Sequence, residues 1–406
     1  MSMQMPVEII ERPGGVTAAQ GFRAAGVACG LKPDGRDLML LVSEHVCSAA
    51  GVFTRNVVKA APVLFSCKRV KAGRAQAIVI NSGVANACTG EEGMRRCEAM
   101  SAAVAAAASL AEDLILVCST GVIGRQLPID KIATGILEAA RVLSPEGGHD
   151  AARAIMTTDT RPKEVAISLD TEWGPITIGG MAKGSGMIAP NMATMLAVIT
   201  TDAQIAPELL QRSLSNVVER TFNRITVDGD TSTNDTVLVL ANGKTGIRLQ
   251  QGTQDYVRFE RALGIVAETL AKAIVRDGEG ATKLVEIHVH RTADAQTAIA
   301  IAQTIANSPL VKTALFGNDP NWGRILAAAG RAGVCFDPGK VDLDLAGIPV
   351  VRAGEPLPFD KAAASTAMKT DDVLIDLRLN AGDGEATVWT CDFSYDYVRI
   401  NADYTT

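Results

Sequence analysis

Thr194 stands where a glycine-rich loop turns into an apolar run, and that placement suits a self-activating nucleophile. The preceding segment, GGMAKGSGMIAPNMA, carries four glycines and a proline, residues that open backbone conformations closed to others. After it, Met195–Ile199 reads as a short core strand. A threonine hydroxyl is a weak nucleophile at neutral pH and needs a base beside it. If the chain is cut between Ala193 and Thr194, the freed α-amine, with an unperturbed pKa of roughly 7.7–8.0, becomes a base attached to the nucleophile. The cut would run by attack of the Thr194 hydroxyl on the Ala193 carbonyl, giving an ester that water opens. A threonine at a strand start is also a common turn or ladder residue, so the junction alone leaves both readings open.

Acyl transfer further requires donors facing the developing oxyanion. Thr120 and Gly121 follow a predicted strand, Leu114–Cys118, and would present a hydroxyl and a backbone N–H with no bulky side chain nearby; an ordinary turn is the competing reading. Lys183, in the glycine-rich loop, suits a substrate carboxylate, though a solvated loop lysine has the same pattern. Glu279, within Asp277-Gly278-Glu279-Gly280, suits a cationic amine or simply ends a helix. Thr157, Asn401 and the terminal Thr406 would add neutral polar contacts.

The segment MAKGSGMIAPNMATML resembles the self-cleavage segment of the ornithine acetyltransferase family, the glutamate N-acetyltransferases of arginine biosynthesis. GVFTRN, INSGVANACTG, STGVIG, IMTTDT, VDGDTSTND, RDGEGATK, NDPNWGRI and the terminal INADYTT are similar to further family signatures, in the family order and spanning nearly the whole chain. One departure is Val84, where the family pattern implies Asn. The resemblance implies an α+β fold: a layered helix–sheet–sheet–helix sandwich of the N-terminal-nucleophile type, assembled from fragments 1–193 and 194–406. It implies Thr194 as nucleophile, Thr120 and Gly121 as oxyanion hole, and Thr157, Lys183, Thr194, Glu279, Asn401 and Thr406 as substrate contacts. A docked C-terminus follows, together with two copies of each fragment. N2-acetylornithine and glutamate are the implied substrates, with acetyl-CoA a further donor. A related amidase or aminopeptidase using water as acceptor, and an uncleaved amino-acid-binding protein, are the alternatives.

Composition sets wider limits. At 406 residues the chain exceeds what one core usually supports, so two or three lobes are expected. Hydrophobic residues make up 47% and charged residues 21%, as in ordinary globular proteins. The net charge of −6, with no basic run, leaves no electrostatic footprint for nucleic acid. Eight cysteines without a CxxC pair point to reduced thiols rather than a metal cage. The N-terminus lacks the basic and apolar regions of a secretory signal, so a cytoplasmic location is expected.

No metal or cofactor is expected either. GGMAKGS does not have the spacing of a phosphate loop. Asp228-Gly229-Asp230 fits a polar turn network better than a calcium loop. His288 and His290 would share a strand face, but the sequence offers no third zinc ligand.

Periodicity places strands at Leu38–Val42, Ala77–Asn81, Glu164–Leu169, Ile176–Gly180, Thr236–Leu240, Leu284–His290, Val311–Phe316, Val373–Leu379, Ala386–Cys391 and Tyr397–Asn401. Helices are predicted over Glu92–Leu110, Asp130–Val142, Pro207–Phe222, Asp255–Arg276, Ala293–Ala306 and Trp322–Ala329.

Overall fold

The computed structural model describes residues 9–189 and 195–403; Ala193, Thr194 and Thr406 lie outside the described residues. Among these, helices mix with strands that gather into a nine-stranded sheet, a six-stranded sheet and a two-stranded pair.

The large sheet turns on one strand, Leu38–Phe53, much longer than the predicted Leu38–Val42. Its first part pairs antiparallel with Phe22–Val27 and Arg74–Val84, its last part with Thr236–Ala241. The ladder to Arg74–Val84 shifts register between Val42 and Cys47. There Glu44, His45 and Val46 are exposed, a polar break that looks like a strand end in sequence. The strand instead continues and joins the two halves of the sheet. Met39, Ile80 and Leu116 from one half of the sheet meet Met181, Val198 and Leu238 from the other in a single core cluster.

Alternation fixes the outer faces as well. Residues one step along, Leu40, Val79 and Val117, pack under the helices Ala61–Val70, Gly90–Ala108 and Ile129–Arg141. Ile199 and Val239 pack under Pro207–Arg220 and Gln254–Arg276. Burying each such aliphatic side chain contributes about 1.5–3 kcal/mol. A one-residue slip would exchange the two faces, so register is strongly specified.

The six-stranded sheet combines Leu284–Thr292, Asp372–Arg378 and Gly384–Cys391 with Asp342–Leu345, Ile348–Arg352 and Glu355–Pro356. Its core joins Ile287 and Ile375 to Ile301, Leu315 and Ile325 of the covering helices.

Two predicted strands are helices. Val311–Phe316 lies in the helix Pro309–Phe316. Pro309 opens its first turn, and Val311, Ala314 and Leu315, at helical spacing, are buried. Tyr397–Asn401 lies in the helix Tyr395–Asp403. Its β-branched residues suggested a strand, but Val398 is 68% exposed, so no sheet face claims it. Asp396 and Arg399, 3.0 Å apart, brace the turn instead. No helix among the described residues is long and apolar enough to cross a membrane.

Candidate active site

A cavity of about 250 Å³ is lined by Thr120, Gly121, Thr157, Lys183, Glu279 and Asn401. Six of the sequence-selected residues therefore converge, although they come from five widely separated stretches of chain. Thr194, Ala193 and Thr406 cannot be placed with them, being outside the described residues. Lys183 pairs with Leu196 across the antiparallel ladder.

Thr120 and Gly121 sit at the end of the strand Ile115–Val122. This end lies parallel to Arg74–Val84, with an irregular register at Gly83 and Val84. Gly121 has φ 128°, and a Cβ there would stand 2.3 Å from the carbonyl carbon of Gly83. Only glycine permits that approach. Asn234 pins the strand end by donating to Ala85 O at 2.7 Å and Ser119 O at 2.8 Å. Val84 pairs with Thr120 and Val122, yet its buried side chain belongs to the core with Ala61 and Phe65. The departure from the family pattern thus changes packing rather than the cavity wall, which Ala85 supplies. Burial pushes the Cys118 thiol up to about 12, consistent with a packed, unreactive side chain.

Lys183 is buried and donates to Thr157 Oγ1 at 2.8 Å. Behind it lies Asp159, which sequence reading did not single out. Asp159 accepts from Lys163 Nζ at 2.6 Å, Gly184 N at 2.7 Å and Thr157 N at 2.9 Å, and lies 3.9 Å from Lys183 Nζ. Burial opposes its charge, but Lys183, Lys163 and the Gly184 N–H outweigh it and bring its pKa to about 2. Burial pushes Lys183 below the usual lysine value, against the pull of Asp159.

The depressed Asp159 pKa gives a definite sign. Its stabilisation is present above the ordinary carboxylate value of 3.8 and fades as pH falls toward about 2. Asp159→Asn should therefore cost about 3–5 kcal/mol at neutral pH, the scale of breaking a buried ion pair. The gap to wild type should narrow below about pH 4. Urea unfolding across that range is the check.

Glu279 faces Lys183's cavity from the loop after the helix Gln254–Arg276. Asn401 Nδ2 donates to Glu279 Oε2 at 2.8 Å, and Glu279 N donates to Ser185 O at 2.9 Å. A Cβ on Gly186 would lie 2.4 Å from the Glu279 carboxyl carbon, so this glycine makes room for the carboxylate. Asp277 roots the loop, accepting from Lys163 Nζ at 2.6 Å and Thr160 N at 3.0 Å. The cavity thus offers an ammonium and a carboxylate together, suited to a zwitterionic amino-acid frame.

Two further aspartates hold the backbone at Met187 and Ile188 and at Met195. Asp228 accepts from Met187 N at 2.5 Å, Ile188 N at 2.9 Å and Asp230 N at 3.1 Å. These contacts form a polar turn network. Burial raises the Asp228 carboxyl to about 6. Asp235 is buried and accepts from Met195 N at 2.9 Å through Oδ1. Its Oδ2 is buried with no hydrogen-bond partner among the described residues, and burial holds this carboxyl well above the ordinary range. Asp228 and Asp235 both fall inside VDGDTSTND, but nothing local marks which acidic residue of that run meets which backbone.

A profile of the ArgJ family matches residues 23–406. The arginine biosynthesis bifunctional protein ArgJ of Symbiobacterium thermophilum is 53% identical over 397 residues, covering 97% of this chain and 99% of its own. That of Thermosynechococcus vestitus is 50% identical over 411 residues, covering 97% and 98%. A crystal structure of arginine biosynthesis bifunctional protein argJ from Bacillus halodurans is 45% identical, covers 50% of this chain and 97% of its own, and has a TM-score of 0.49. On the extent of the profile match and the identity to these relatives, the chain belongs to the ArgJ family.

Proposed function

We propose that the chain is a glutamate N-acetyltransferase that cuts itself between Ala193 and Thr194 and then works through Thr194. The observation that carries this reading is the convergence of Thr120, Gly121, Thr157, Lys183, Glu279 and Asn401 on one cavity. Family membership and relatives named for arginine biosynthesis support it.

In the first half-reaction the Thr194 hydroxyl attacks the acetyl carbonyl of N2-acetylornithine, passing its proton to the Thr194 amine. Thr120 and the Gly121 N–H stabilise the oxyanion. The amine then protonates the leaving nitrogen, ornithine departs, and an acetyl ester stays on Thr194. In the second half-reaction the glutamate amine attacks that ester and regenerates the hydroxyl. Donor and product are both secondary amides, so the exchange needs no energy source and no cofactor. Acetyl-CoA would load the same hydroxyl through its thioester.

Lys183 holds the α-carboxylate, and Glu279 with Asn401 meets the ornithine ammonium. Asp235 is suited to steady the Thr194 ammonium, because its carboxyl group takes a hydrogen bond from the backbone N–H of the following residue, Met195. Fragments 1–193 and 194–406 stay associated, two copies of each, in the cytoplasm.

Incubating purified protein with N2-acetylornithine, with and without glutamate, and following ornithine separates transfer from hydrolysis. Without glutamate, release should stop after about one equivalent per site; sustained release would favour a hydrolase instead.

A further inference from the structure

The strand Leu284–Thr292 carries His288 and His290, which alternation sets on one face. The third ligand missing from the sequence comes from the sheet. The parallel neighbour Asp372–Arg378 places Asp376 opposite His288. His290 Nε2 lies 2.7 Å from Asp376 Oδ1, and the two imidazoles stack with centroids 4.4 Å apart. One donor atom from each of the three residues lies within 4.8 Å of the others, and all three residues are half-buried. Glu385 Oε2 stands 3.9 Å from His288 Nε2.

We propose that His288, His290 and Asp376 form a binding site for a zinc-class divalent cation. Two imidazole nitrogens and a carboxylate oxygen match the ligand preferences of zinc, copper(II) and nickel(II) rather than those of calcium or magnesium. The ligands are spaced by a backbone ladder, so ordering them costs little. Zinc requires distances of about 2.0–2.2 Å to nitrogen and oxygen. Binding would therefore require side-chain rotation that opens the imidazole stack. Arg378 Nε lies 3.9 Å from Asp376 Oδ1, and its guanidinium is engaged by Asp344 Oδ2 at 2.6 Å, a carboxylate it shares with Arg352. None of the three residues lines the cavity around Thr120 and Lys183. The ion would clamp two strands of the six-stranded sheet, a stabilising rather than a catalytic role.

The test is zinc titration of the full-length protein after alkylation of its thiols, since Cys88 and Cys335 are exposed and would compete. One ion per chain should bind, the melting temperature should rise, and cobalt(II) should give visible bands without thiolate charge transfer. His290→Gln and Asp376→Asn, which preserve side-chain shape, should each weaken zinc binding more than about tenfold, since even outer-shell partners are worth about 10–100-fold. Circular dichroism and acetyl transfer should be unchanged in both variants. Absence of saturable zinc binding, or unchanged affinity in both variants, would overturn the proposal.

Discussion

Thr194→Ala should leave one polypeptide of 42.5 kDa on a denaturing gel, where the unaltered protein should yield fragments 1–193 and 194–406. Its turnover should fall on the order of a millionfold, the scale seen when an acyl-transfer machine loses its nucleophile. Alanine removes both the hydroxyl that opens the Ala193 carbonyl and the one that carries the acetyl group. Thr194→Ser keeps a hydroxyl and should still cleave. The flanking strands Gly174–Lys183 and Leu196–Thr201 are locked by a ladder running from Ile178 and Thr201 to Lys183 and Leu196. A cut between these strands would break none of those ladder hydrogen bonds. Intact mass spectrometry and an acetyl-transfer assay read the two effects separately. Cleavage at the same bond in Thr194→Ala, or retained turnover, would defeat the proposed chemistry.

What the sequence made legible follows from period and punctuation. The hairpin at Glu172-Trp173 could be read because Ile176–Gly180 alternates and the turn carries Gly174. Core strands such as Arg74–Val84 announce themselves by an apolar run. Family signatures brought Thr120, Lys183 and Glu279 forward, and the cavity unites them. The supporting aspartates stayed hidden because their partners are remote. Asp277 and Lys163 are 114 positions apart, and Asp235 and Met195 are 40 apart. Local spacing cannot distinguish Asp277, which roots its loop, from Glu279, which tips it. The pairing of His288 with Asp376 stayed hidden for the same reason, since they meet only through strand pairing. Where propensity opposed tertiary context, as at Tyr397–Asn401, context won.

Asp235→Asn should slow acetyl transfer on the order of a hundred- to a thousandfold, as expected for loss of an electrostatic partner to charge formed during reaction. Asparagine can still accept from Met195 N through its own Oδ1, so the backbone contact survives. What is lost is the second oxygen, buried without a partner among the described residues. In the proposed mechanism an ionised Asp235 would steady the Thr194 ammonium and raise its pKa, so removing it should move the acid limb of the rate profile to lower pH. A packing defect would lower the rate without moving the limb. Stability supplies a second sign, measured in the Thr194→Ala background so that the chain stays intact. Burial raises the Asp235 pKa well above 3.8, so its contribution is fully present below that value and is lost as pH rises through the folded-state pKa. Asp235→Asn should remove that part of the decline, leaving the pH dependence of the other buried carboxyls such as Asp228 in place. Wild-type turnover with an unmoved acid limb would remove Asp235 from the mechanism while leaving Thr194 in place.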